Sequence, residues 1–221
     1  MIIFRNDKLV NTDETIAKHI FDQVEHPWEV LPNLDIYIKH LGPMLPSELF
    51  EDKGDDVYIA KSATVAPSAY IKGPCIIDED ADIRHCAFIR GSVIVGKGAV
   101  VGNSTELKNS ILFNQVEVPH YNYVGDSILG FKAHLGAGSI TSNIKNDKTN
   151  VVIKFPLGEL KTDMRKLGAI IGDYSQIGCN CVLNPGTIIG RNVSIYPLNS
   201  VRGHIRENTI YKSKNAVMNK I

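Results

Sequence analysis

The chain is 221 residues long, 43% of them hydrophobic, and its 24 basic side chains balance 24 acidic ones to a formal charge of zero. Neutrality excludes a bulk cationic surface for nucleic acid, and the length allows a sizeable core plus an appendage. No segment approaches the roughly 20 apolar residues of a membrane span, and Met1 to Lys8 lacks the apolar run of a signal peptide, so a cytoplasmic protein is expected.

Residues 1–56 are expected to form a small N-terminal α-helical arm. Thr12-Asp13-Glu14 reads as a helix start before Ile16, Ile20, Phe21 and Val24, whose spacing gives one apolar face. Pro27 and Pro32 interrupt that pattern, and Leu34 to Leu41 reads as a second short helix ending at Gly42-Pro43. The arm is expected to cap the open end of whatever follows, shielding unpaired backbone groups.

From residue 57 the pattern changes. Ile59, Val65, Ile71, Ile77, Ile83, Ile89, Val95, Val101 and Leu107 recur at every sixth position, and the residue four places after each is small or slender, as in Ala63, Ala69, Cys75, Ala81 and Ala87. A period of six suits neither an amphipathic helix nor an alternating strand; it suits a coil of short strands separated by corners. The register returns at Ile171, Ile177, Leu183, Ile189, Ile195 and Val201 in a displaced phase, which an insertion between the two runs would explain. The pattern resembles the hexapeptide-repeat family, which implies an all-β chain folded as a left-handed parallel β-helix of triangular section with three hexapeptides per coil. On that reading residues 57–205 are the β-helix, 141–170 an insertion loop rich in Asn, Lys and Asp, and 206–221 a C-terminal tail.

Cys75, Cys86, Cys179 and Cys181 show no C-x-x-C pair, and two of them fall in the small core slot, so reduced structural thiols and no metal are expected. Lys72, Arg90 and Lys108 each follow an anchor directly and are spaced by one eighteen-residue coil. Stacked about 5 Å apart, such cations repel by roughly 1 kcal/mol in water and about 3 kcal/mol at an effective dielectric of 20. A bound anion would relieve this, and phosphate suits the guanidinium fork and the ammonium point charge.

The run IRGSVIVGKGAVVGNSTELKNSILFNQVEVPHYNYVGDSILGFKAHLGAGSITSN, followed by MRKLGAIIGDYSQIG, resembles the acetyltransferase domain of the bifunctional N-acetylglucosamine-1-phosphate uridyltransferase/glucosamine-1-phosphate acetyltransferases, and most closely their archaeal-type members. The resemblance implies His120 as catalytic base, Arg90 and Lys108 as sugar-phosphate ligands, and Tyr123 and Asn143 as sugar contacts. Lys148 is the nearest match to the family's loop lysine, with Lys145 the alternative if the loop slips in register. It also implies acetyl-CoA as co-substrate, a homotrimer with sites between subunits, and N-acetylation of glucosamine 1-phosphate or galactosamine 1-phosphate; Arg202 is the cation offered to the coenzyme. Asn-Ile-Lys-Asn stands where the bacterial enzymes have Asn-Tyr-Asp-Gly, which leaves the sugar open.

The segment HPWEVLPNLD looks like the linker that follows the nucleotidyltransferase domain in these enzymes, yet no glycine-rich nucleotide loop precedes it here. A non-catalytic sugar-nucleotide-binding or regulatory relative of UDP-N-acetylglucosamine pyrophosphorylase is therefore the alternative. Zinc-dependent chemistry on the same fold would need three converging histidines, and His85, His120 and His134 are expected to lie out of register with one another.

Overall fold

The computed structural model describes residues 4–156 and 158–220. Each coil is three short strands joined by tight corners, so the single six-residue register of the sequence separates into three stacked columns. Ile59, Ile77 and Val95 are paired in parallel on a first face. Val65, Ile83 and Val101 occupy a second. Ile71, Ile89 and Leu107 occupy a third. From Ile77 onward these side chains are buried, and neighbouring rungs hold one another by parallel hydrogen bonding. The corners turn on residues with positive φ, among them Cys86, Ser104 and Tyr121 at 58°, 54° and 51°. Each costs roughly 1 kcal/mol outside glycine, which the flanking ladders offset.

Coil length explains the change of phase, and not in the way expected. Coils early in the helix take 18 residues, but Val95, Leu112 and Leu129 are stacked at intervals of 17. The coil carrying the insertion takes 42 residues, as Leu129 pairs with Ile171. Forty-two is a whole number of hexads and leaves the phase unchanged. The two shortened coils displace it.

The first face differs from the others because its strands read as unbroken apolar triplets, such as Cys75–Ile77, Val93–Val95 and Ala169–Ile171. Side chains alternate along a strand, so the middle residues Ile76, Ile94, Ile111, Ile128, Ile170 and Ile188 point outward, yet all are fully buried. The N-terminal arm covers them, running lengthwise from the last coils back to the first. Phe4 lies edge-on to Phe155 and His204; the Leu9 carbonyl accepts from Asp173 N at 3.1 Å; Phe21 meets Phe113; and Gly42 rests against the Tyr58 ring. The expected end cap is thus a minor part of the arm: only Phe50–Asp52 pairs antiparallel with the first-rung strand Val57–Ala60. The expected helix after Thr12 is also absent. Thr12–Glu14 and Lys18–Phe21 are separate 3-10 turns with Thr15 extended between them, which breaks the helical register. Leu34–Leu41 is helical as expected.

The insertion folds as an antiparallel hairpin, Val152–Phe155 with Gly158–Lys161. Val151, Ile153 and Leu167 are fully buried, so the segment is docked on the later coils rather than solvated throughout.

Candidate active site

The corner between the third and first faces collects most of the residues singled out in the sequence. Strands Glu106–Leu112 and Tyr123–Leu129 pass through it in parallel, with Lys108 opposite Gly125. Lys72, Arg90 and Lys108 stack there as expected: Lys72 N donates to Ile89 O and Arg90 N to Leu107 O, both at 2.9 Å. Part of the repulsion between these cations is offset by carboxylates of the protein itself. Arg90 Nη1 lies 2.7 Å from Glu106 Oε1, and Lys108 Nζ lies 2.9 Å and 3.1 Å from the two oxygens of Asp126. Among the described residues Lys72 makes no such pair.

Asp126 is 3% exposed and also accepts from Asn109 Nδ2 at 2.9 Å and from Asn143 Nδ2. Asn143 Nδ2 donates in addition to Tyr123 Oη at 3.2 Å. Burial, reinforced by the Asp126 charge, pushes the Tyr123 hydroxyl pKa up, so the phenol keeps its proton and can donate. The neck of the insertion is pinned to the same point: Leu167 N donates to Asn143 O at 3.0 Å and Gly168 N to Asp126 O at 2.8 Å. Lys108 and Asn143 therefore converge on one buried carboxylate, Tyr123 joins them through Asn143, and Arg90 is held one rung away by Glu106.

His120 ends the second-face strand Glu117–His120, at the corner that opens the third face. Five residues separate it from Gly125, no more than about 17 Å of extended backbone. Its exposed side chain is presented by a tight turn: His120 N donates to Asn122 Oδ1 at 3.1 Å, and buried Asn122 is tied to Gly136 O and Ser139 O at 2.9 Å and 3.1 Å. His120 stacks on Asn103, and the pairing of Ile83 with Val101 puts His85 on Asn103's other side. Contrary to expectation, these two histidines share a column. They are two rungs apart, about 10 Å, and among the described residues no third metal-ligating side chain completes a site with them. His134 lies elsewhere, paired through Nδ1 with Glu117 at 2.9 Å.

Lys148 is exposed, at φ 58°, and no hydrogen bond joins it to the cluster. Lys145 is paired with Asp147 and helps line a cavity of about 240 Å³ with Lys154, Glu159 and Arg202. Arg202 belongs to the Lys72–Arg90–Lys108 corner, four rungs beyond Lys108, and donates to Asn184 Oδ1 at 3.1 Å. Among the described residues no group of three or more side chains could hold a metal ion.

Asp126, Glu106, Asn109 and Gly125 were not singled out in the sequence. For Asp126 the signal was present: one more eighteen-residue step beyond Lys108 lands on it.

Residues 71–154 match the model of the GMPPB C-terminal domain, and residues 168–203 that of the bacterial transferase hexapeptide (six repeats). Over 222 aligned residues, 99% of this chain and 53% of the relative, it is 32% identical to the bifunctional protein GlmU of Methanococcus maripaludis. The chain belongs to the hexapeptide-repeat transferases. A second relative, the bifunctional sugar-1-phosphate nucleotidylyltransferase/acetyltransferase of Sulfurisphaera tokodaii, is 34% identical over 64% of this chain and 40% of its own length. The chain thus spans about half the length of the curated relatives it matches. A solved hexapeptide transferase family protein of Anaplasma phagocytophilum aligns over 75% of this chain and 80% of its own, with a TM-score of 0.49 at 16% identity.

Proposed function

We propose that the chain is an acetyl-CoA-dependent N-acetyltransferase acting on an amino-sugar 1-phosphate, glucosamine 1-phosphate or galactosamine 1-phosphate, in the cytoplasm. One observation carries this reading: Lys108, Tyr123 and Asn143 meet around Asp126, with Arg90 stacked on the adjacent rung, at one edge of the face whose other edge presents His120. The name of the Sulfurisphaera tokodaii relative, which pairs sugar-1-phosphate nucleotidyl transfer with acetyl transfer, agrees with it.

Only the neutral amine attacks a thioester, and an imidazole of ordinary pKa near 6.5 is a suitable proton acceptor at neutral pH. His120 takes a proton from the 2-amino group as its nitrogen bonds to the acetyl carbon. The C–S bond then breaks, and the coenzyme leaves as a thiol with the proton returned from His120. Arg90 and Lys108 hold the sugar phosphate, which is positioning rather than chemistry. Arg202, on the same corner but roughly 19 Å along the axis, is available to the donor's phosphates. A homotrimer is part of the proposal: the arm occupies the first face, leaving the second and third to pack about a threefold axis.

Acetyl-CoA-dependent thiol release with the two amino-sugar phosphates tests the reading. His120→Ala is expected to lower turnover about 10²- to 10⁴-fold. A wild-type chain silent toward both substrates overturns the enzyme and favours the non-catalytic sugar-nucleotide-binding alternative.

A further inference from the structure

Asp126 is the least exposed charged group of the site, and its carboxylate accepts from three side chains, the Lys108 ammonium and the amides of Asn109 and Asn143. Its carboxylate can only accept. The Asn143 amide beside it must therefore turn its nitrogen toward Asp126, because the opposite flip would set the amide oxygen against a carboxylate oxygen. Both Nδ2 hydrogens are then consumed, one by Asp126 and one by Tyr123 Oη. Asn143 Oδ1 is left as a free acceptor, with no hydrogen bond to any described residue. Tyr123 Oη, already accepting, is left with its O–H to donate outward. Lys108 is held through the same carboxylate with its ammonium partly exposed.

We infer that Asp126 is a positioning residue that fixes the hydrogen-bond polarity of this site, so that Asn143 offers an acceptor to the amine of an amino sugar while Tyr123 and Lys108 offer donors to its phosphate. The inference rests on the amino-sugar phosphate reading and deepens it, since it says why the ligand carries a donor at the position next to its phosphate-bearing carbon. Asp126 does not touch the ligand. It is held by its donors and by a backbone at φ 49°, with its own carbonyl accepting from Gly168 N at 2.8 Å. It cannot swing out to be replaced by substrate.

The test compares calorimetric binding of glucosamine 1-phosphate with that of 2-deoxy-2-fluoroglucose 1-phosphate, which keeps the phosphate but has no donor at C2. Leaving one buried acceptor unpaired corresponds to a ratio of about 5- to 100-fold in favour of the amine in the wild type. Asp126→Asn frees the Asn143 amide to flip, so this ratio is expected to collapse toward one, whereas a purely structural role would weaken both ligands alike and leave the ratio standing. A wild type that does not prefer the amine, or an Asp126→Asn variant that keeps the preference, overturns the proposal. Should the variant fail to fold, the wild type alone decides: both ¹⁵N-attached side-chain protons of ligand-free Asn143 are expected to exchange slowly with water, and fast exchange refutes the arrangement. Loss of acetyl transfer with the binding preference intact would sink the enzyme reading and leave this one in place.

Discussion

Gly125→Ala tests whether the polar cluster works with the geometry described. Gly125 occupies the corner position that holds lysine or arginine in three earlier coils, yet here a side chain has nowhere to go. A Cβ would stand 2.5 Å from Tyr123 Oη and 2.8 Å from Asn143 Nδ2. Both are within ordinary contact by roughly 0.5 Å or more, so the Tyr123 ring must swing and its bond from Asn143 is lost. Losing that bond costs about 1 kcal/mol, and overpacking adds about 1–3 kcal/mol. For a domain of this size each kcal/mol lowers Tm by about 2–4 °C, so the variant should fold and melt roughly 4–15 °C lower. Function should suffer more, because a displacement of about 1 Å at a positioning group can cost about 100-fold. Steady-state thiol release should show kcat/KM for the amino-sugar phosphate down about 10- to 100-fold, with KM for acetyl-CoA little changed. A variant that melts lower but retains wild-type kcat/KM would show that Tyr123 and Asn143 do not act where the structure sets them.

Lys108→Ala should destabilise far more than Lys72→Ala, although both remove a lysine from one corner. The first strands the Asp126 carboxylate, 5% exposed, and is expected to cost about 1–3 kcal/mol after discounting the partial exposure of Lys108; the second removes an unpaired cation and should be nearly neutral in a denaturant melt. Equal effects would deny the buried pair. At the arm, Asp173 accepts from Asn11 N and Phe131 N at 2.9 Å and 2.8 Å and is paired with Arg191, but burial outweighs these partners and pushes its pKa up. A carboxylate whose folded pKa is raised binds more protons when folded, so its contribution to stability is largest at low pH and declines as pH rises through the interval above about 4. The stability gap between wild type and Asp173→Asn should therefore narrow from pH 4 to 7; a gap that widens reverses the sign and refutes the assignment.

Much of the site was legible because a solenoid turns sequence distance into spatial distance with a nearly constant rule. Lys72, Arg90 and Lys108 could be stacked on paper, since each lies one coil from the next. The rule fails where coil length changes. The two 17-residue coils moved the phase, and the first of them set Asp126 one place beyond Gly125, the stacking partner of Lys108, where it can reach the ammonium from the side. His85 was misjudged for the same cause: it shares a column with His120 only because one intervening coil is a residue short.

The arm shows the other limit. Its covering role had a local trace in the unbroken apolar triplets of one face, the pattern of a sheet buried on both sides, but the triplets do not say what covers them. By itself the sequence determined the repeat, the inward columns and the cation corner, because strand-and-corner geometry is local and recurs every six residues. Only the tertiary structure decided the course of the arm, the docking of the insertion hairpin and the union of Lys108, Tyr123 and Asn143 on Asp126. Those depend on contacts between segments that no period connects.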